Sequence, residues 1–285
     1  MKLPFSKTTP VIGAIMKMEE RYILEWVAWH KLHGFDIIIA DNCNGGPQTE
    51  LLQKLEREGS ISLIDFRHRT SQPQMPAYCR IYWRSLALGY RYIGFLDADE
   101  FFEPLEAPPW SGASVVRSHL KRYLAVRYRW ALFGSDGALT YDSELVVKRF
   151  EKRGLPDHQT NRTAKSFFRT YAVLYSAIRY PTRFLTQPHS PPISSKRTML
   201  DGKSARDVSA KWVGGRVRHY AAKSREELLS KLEKRGDAFS VSARDAGEYA
   251  ADVDLNDEFD PLTDSTISDL RRKILDFAVP RNAEN

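Results

Sequence analysis

"RYIGFLDADEFF", residues 91–102, decides how this chain is read. An apolar run, Tyr92 to Leu96, passes directly into Asp97, Asp99 and Glu100 and then into Phe101 and Phe102. Carboxylates wedged between hydrophobic residues are costly unless something pairs with them. The run reads as a buried strand over 91–99 whose carboxyl end carries the acids. Residues two apart in a strand or tight turn point the same way, so Asp97 and Asp99 are spaced to present oxygens to one hard cation. Mg2+ or Mn2+ accepts such oxygens, binds substrate phosphates as well, and acts as a Lewis acid toward a departing diphosphate. A bare D-x-D is more often a solvated turn; its place at the end of a buried strand favours the metal here.

Upstream, strands and helices alternate. "VIGAIM" (11–16) is a short β-branched run. "EERYILEWVAWHKLHG" (19–34) has helical spacing, acids in its first turn and Gly34 where a C-cap belongs. "FDIIIAD" (35–41) is a strand, "NCNGGPQ" a turn, "TELLQKLEREG" a helix, "SISLIDF" (60–66) a strand and "PAYCRIYWRSLALGY" (76–90) a helix. Alternation of this kind implies right-handed crossovers and a parallel sheet, that is, an α/β fold. Ligands of such sheets bind beyond the carboxyl ends of the strands. Those ends carry Lys17 to Glu20, Asp41 with Asn42, and Asp97 to Glu100, so one edge collects the polar residues. Asp41 is placed to accept from a base or ribose hydroxyl, or else to start an Asx-turn.

The second half reads differently. Residues 122–134, 143–152 and 164–174 are expected as strands, 197–212 as a polar loop and 216–223 as a further strand. "SREELLSKLEKRGD" is a helix in which Ser224 and Glu227 form a capping box, and 263–279 is a last amphipathic helix. The expected division is 1–103, a nucleotide-binding half ending in the acidic motif; 104–240, an acceptor-side part that completes the site; and 241–285, a helical segment. His219 in "VRHYAAKSREE" offers a neutral imidazole to a metal. Lys223 stands before a helix N-terminus, itself a place that attracts anions.

A chain of 285 residues with 42% hydrophobic and 28% charged residues can build a sizeable core. Its 43 basic against 36 acidic residues leave a net charge of +7, which favours anionic partners. The basic residues are dispersed, so nucleic acid is not the expected partner. Two cysteines without a CxxC spacing argue against a zinc site or a disulfide scaffold and suggest a reducing compartment. With no secretory h-region and no apolar run long enough to span a bilayer, the expected location is cytoplasmic, or peripheral to the cytoplasmic face of a membrane.

In order along the chain stand "KMEERYILEWVAWHKLHGFDIIIADN" (17–42), "AYCRIYW" (77–83), "GFLDADEFF" (94–102), "WALFGSDG" (130–137), "KRF" (148–150), "AKSFFR" (164–169) and "RHYAAKSREELLSKLEKRG" (218–236). Over about residues 11–236 the chain resembles bacterial glycosyltransferases of the family-2-like type, close to family 92. Those proteins carry "KNE-E", "DxDEF", "W-x-FGSSG" and "HY-x-x-KS" segments. The resemblance implies a GT-A fold, with a Rossmann-like sheet and a mixed or antiparallel C-terminal part. It also implies metal-dependent transfer of a sugar from a nucleotide diphosphate, most simply a UDP-sugar.

By position, Glu19 and Asp41 match the family's nucleotide-side acids and Asp97 and Asp99 its metal pair. His219 matches the residue that completes the metal or diphosphate site, and Lys223 a phosphate contact. Lys17 and Asn42 complete the expected nucleotide-sugar set. The chain departs from the pattern at Met18, where the family often has Asn, in the less acidic loop after Asp41, and at Asp136, where Ser is common.

An inverting transferase needs a base for the acceptor hydroxyl. Glu100 and Asp136 are the candidates, with Glu144 behind them; bracing, turn-capping and plain exposure are their respective alternatives. Arg149, Lys165 and Arg169 either steer phosphate or form salt bridges, and Trp130 either stacks on a sugar or belongs to the core. The expected acceptor is a saccharide or lipid-linked glycan of bacterial surface polysaccharide. The rival readings are a sugar-phosphate nucleotidyltransferase, disfavoured by the lack of a Gly-rich loop after the first strand, and a non-enzymatic basic module on nucleic acid or membrane.

Overall fold

The computed structural model describes residues 5–67, 73–105, 111–176, 181–184, 212–235 and 246–278. The β-branched runs of the first half form strands Val11–Met16 (β1), Asp36–Asp41 (β2), Ser62–Asp65 (β3) and Tyr92–Phe95 (β4). Between them lie helices Ile23–Leu32 (α1), Pro47–Arg57 (α2) and Gln74–Ala87 (α3). β1 pairs in parallel with β2 and β4, and β2 with β3.

The second half contributes Glu100–Pro104 (β5), Gly112–Leu120 (α4), Ala125–Leu132 (β6), Val146–Arg149 (α5), Lys152–Arg153 (β7), Ala164–Arg169 (β8), Val173–Ser176 (β9) and Pro181–Phe184 (β10). Gly215–His219 (β11), Arg225–Arg235 (α6), Ala246–Val253 (α7), Glu258–Phe259 (β12) and Asp264–Ala278 (α8) follow. One eight-stranded sheet runs β3-β2-β1-β4-β8-β6-β11-β5; β10 with β9 and β12 with β7 make two small ladders. β8 is antiparallel to β4 and to β6, whereas β11 is parallel to β6 and antiparallel to β5. The result is the α/β, mixed-sheet architecture expected from the sequence. β1, β2, β4, β6 and β11 therefore all open at one edge, and β5 begins there.

Alternation along β1 splits the core between the two faces of the sheet. Ile12, Ala14 and Met16 join α1, α2, α4 and α8 in the larger cluster. Val11 joins Tyr78 and Ile81 of α3 together with Phe95. Burying both faces is what a central parallel strand requires, and it explains runs that are apolar throughout.

Several elements differ from the sequence reading. The strand expected over 91–99 stops at Phe95; the chain turns through Asp97–Asp99 and re-enters the sheet as β5. Residues 143–152, expected as a strand, hold the helical turn α5 and the short β7. The reason is a distant capping group: the buried Glu25 carboxylate accepts the N–H groups of Val146 at 2.8 Å and Val147 at 3.0 Å. Such a cap at a helix start overrides the β-propensity of a Leu-Val-Val run. The helix α4 was not expected; Ser111 caps it by accepting from the Ser114 N–H. Of the polar loop expected at 197–212, only Trp212 lies within the described residues. No helix among the described residues is long and apolar enough to cross a membrane.

Gly94 of β4 lies opposite Phe167 of β8, and a Cβ there would come within 2.3 Å of the Phe167 ring. The substitution Gly94→Ala is expected to cost about 1–3 kcal/mol through overpacking. Urea unfolding measures it, and an unchanged midpoint contradicts this packing.

Candidate active site

The acidic turn after β4 is held from several sides. The Glu100 N–H donates to the Asp97 carbonyl, and the Asp97 N–H donates to Glu100 Oε2 at 2.8 Å. The Trp26 indole N–H, from α1, reaches the carbonyls of Asp97 at 3.0 Å and Glu100 at 2.9 Å. Lys165, on β8, sits between the two acids: its ammonium is 2.6 Å from Asp97 Oδ2 and 2.9 Å from Glu100 Oε2. Asp97 Oδ1 accepts from Tyr78 at 2.9 Å and Gln74 at 3.1 Å, both on α3.

Burial by itself would raise the Asp97 carboxyl; Lys165 outweighs burial and holds it below the usual carboxylate range. Burial likewise opposes charge on Lys165, yet the two carboxylates keep its ammonium well above the ordinary value. For Glu100 burial prevails and its carboxyl is pushed up. Its Oε1 is buried without a hydrogen-bond partner.

Asp99 faces the other way, toward the second half of the chain. Its Oδ2 accepts from Lys231 of α6 at 2.7 Å, and its Oδ1 lies 3.6 Å from His219 Nε2. Burial would raise this carboxyl, but Lys231 and His219 hold it well below its usual value. The neighbours meet because β5 and β11 pair in the register His219↔Glu100, and the Tyr220 N–H donates to the Asp99 carbonyl at 2.9 Å. Trp130 of β6 packs against the His219 ring in a tilted arrangement, with 4.2 Å between centroids. Trp130 is thus a core residue that supports the imidazole.

Lys231 connects Asp99 to a cleft of about 180 Å³, lined by Met18 to Tyr22 from the β1–α1 loop and by Ala221 to Lys223, Glu226, Glu227, Ser230 and Lys231 from the β11–α6 segment. Its cations are Arg21, Lys223 and Lys231, and the Lys223 ammonium lies 3.7 Å above the Tyr22 ring. Among the described residues, the non-glycines with left-handed backbone are Met18 (φ 56°), Asp136 (φ 50°) and Lys223 (φ 51°). All three stand in loops leaving the carboxyl edge, and two line the cleft. Backbone strain concentrated at one edge is characteristic of binding sites.

The structure brings Glu19, Lys223, Asp97, Asp99, Glu100 and His219 to this edge and gives each a distinct setting. Glu19 is buried and its N–H donates to Gln48. Lys17 and Asn42 stand in the adjoining loops after β1 and β2. Asp41 serves its own loop: it accepts from the Cys43 N–H at 3.0 Å, Gln48 Nε2 at 2.8 Å and Thr49 Oγ1 at 2.6 Å. That is the Asx-turn alternative, and it uses three of about four acceptor positions. Asp136 pairs with Lys152 at 2.6 Å, and Glu144 with Arg271 at 2.6 Å. Arg149 binds Glu227, and Arg169 donates to the carbonyls of Leu120 and Lys121.

The capping box at Ser224 and Glu227 forms as expected. It overturns one expectation, the anion site at the start of α6. The N–H groups of Arg225 and Glu226 donate to the carbonyls of Ala138 and Leu139, and that of Glu227 to Ser224 Oγ. With its first N–H groups taken and Glu227 alongside, this helix start has nothing to offer a phosphate, so positive charge in the cleft must come from side chains. Sequence reasoning also missed Lys231. A lone lysine on a helical face looks solvated, and only the fold shows it reaching Asp99.

The mixed sheet with its acidic turn at the carboxyl edge has the architecture of a GT-A-like glycosyltransferase. A family model described as "Glycosyltransferase family 92" matches residues 13–205. The chain belongs to glycosyltransferase family 92, and it is a glycosyltransferase. Its matched segment ends before β11, so His219, Lys223 and Lys231 lie beyond it. No curated protein matches the chain.

Two substitutions test this arrangement. Lys165→Met leaves the fully buried Glu100 carboxylate and the half-buried Asp97 without their cation and is expected to cost about 3–5 kcal/mol in chemical denaturation; a loss below about 1 kcal/mol contradicts the pairing. Met18 is 43% exposed in a left-handed conformation, so Met18→Asn removes strain and little packing. A gain of about 0.5–1 kcal/mol is expected, and a lowered melting temperature contradicts it.

Proposed function

We propose that the chain transfers a sugar from a nucleotide diphosphate donor, a UDP-sugar, to a saccharide or lipid-linked glycan with inversion, assisted by Mn2+ or Mg2+. The observation that carries this reading is the pair Asp99 and His219, linked through Lys231 to a cleft whose wall sets Arg21, Lys223 and Lys231 among four glutamates. The 3.6 Å separation of Asp99 and His219 is too long for a hydrogen bond but within the span of two ligands on one small cation.

Among the described residues no group of three His, Cys, Asp or Glu side chains is arranged to hold a metal. A two-donor site still fits a cation that arrives with substrate phosphates. Mg2+-type ions are commonly held by one or two carboxylates plus the substrate, not by an all-protein cage. Asp99 and His219 are the residues that would hold the ion; Asp97, expected to share it with Asp99, instead has its carboxylate held on the other side of the turn by Lys165, Tyr78 and Gln74. When bound, the metal neutralises charge that develops on the leaving diphosphate.

The protein's own part is positioning and electrostatics. Lys223 and Arg21 supply positive charge to the cleft that would receive the diphosphate, and Tyr22 holds the Lys223 ammonium by its ring face. Glu100, fully buried, supports the turn; its unpartnered Oε1 is the atom that keeps it a candidate for proton transfer. The net charge of +7 supports an encounter with an anionic lipid surface at the cytoplasmic side, where a lipid-linked acceptor of surface polysaccharide would be met.

Incubation with UDP-sugars and Mn2+, with release of UDP as the readout, tests the reading. Turnover is expected, with a loss of about 100-fold or more in Asp99→Ala. Pyrophosphate release from a nucleoside triphosphate and a sugar phosphate, or full UDP release by Asp99→Ala, contradicts it.

A further inference from the structure

The two lysines at the acidic turn are differently constrained. Lys165 has a side chain 1% exposed and touches two carboxylates, so it cannot leave. Lys231 has a side chain 25% exposed, pairs with Asp99 Oδ2, and lines the cleft from α6. Its flexible stem and compact ammonium suit a change of partner. It also occupies Asp99 Oδ2, on the carboxylate whose other oxygen faces His219.

We propose that Lys231 is a donor-phosphate residue that guards Asp99 until substrate arrives. Without donor, its ammonium neutralises Asp99. With a divalent cation held by Asp99 and His219, the Lys231 ammonium would be displaced from Asp99 by like-charge repulsion and would turn into the cleft to pair with the donor's diphosphate alongside Lys223. Asp99 thus exchanges a lysine for a dication, and the lysine exchanges a carboxylate for a phosphate. No buried charge is left without a partner at either end. The exchange makes cation and nucleotide bind cooperatively, because each removes a cost of admitting the other.

This inference rests on the donor reading above, and its test separates the two. Titration calorimetry measures Mn2+ alone, and then UDP at saturating Mn2+, on the full chain and on Lys231→Met and Lys231→Arg. In Lys231→Met, Mn2+ alone is expected to bind about 5-fold tighter or more, since its competitor is gone, while UDP weakens about 10-fold or more. Lys231→Arg is expected to recover part of the UDP affinity. A merely structural lysine would weaken both ligands together, and that result overturns the exchange while leaving the donor reading intact. Unchanged UDP affinity in Lys231→Met overturns it likewise. If the unsubstituted chain binds neither Mn2+ nor UDP, the donor reading itself fails and the exchange falls with it.

Discussion

The site depends on a single buried ammonium. Lys165 lies between Asp97 and Glu100, and without it two carboxylates would share a desolvated turn at the edge of the sheet. Desolvation of the Lys165 and Glu100 charges is expensive, and such clusters are weak contributors to net stability. What this one provides is geometry. With Asp97 and Glu100 held on the Lys165 side and the turn tied to Trp26, the intervening Asp99 is directed to the opposite side, toward β11 and α6.

The other half of the site comes from topology. β5 continues directly from the turn and pairs antiparallel with β11, which lies more than a hundred residues further on. That register sets His219 against Glu100 and brings the β11–α6 segment, with Lys223 and Lys231, over the β1–α1 loop. The cleft therefore lies between the segment that follows the first strand and the segment that follows the last strand of the main sheet. Its walls carry both signs of charge, with Glu19, Glu20, Glu226 and Glu227 among the cations.

Much of this was legible in the sequence, for identifiable reasons. The alternation of strands and helices up to Phe95, the acidic strand end and the Ser224–Glu227 box are local patterns, and local patterns survive into the structure. Apart from α4, whose start is a local Ser111 cap, the departures are long-range. Glu25 turns a β-like Leu-Val-Val run into a helical start from more than a hundred residues away. Carbonyls of Ala138 and Leu139 fill the start of α6, which spacing alone presents as an open anion site. Lys165 carries two equal meanings until β8 is seen beside β4, and Lys231 carries none until α6 is placed over Asp99.

The central claim is that this turn presents Asp99, with His219, to a cation bearing the donor's phosphates. Anomalous scattering at the manganese edge from crystals grown with Mn2+ and UDP tests it most directly. The account places a single strong peak between Asp99 and His219, in contact with the UDP phosphates. A peak lodged elsewhere, or ordered UDP with Lys231 still paired to Asp99 and no metal beside it, would contradict it.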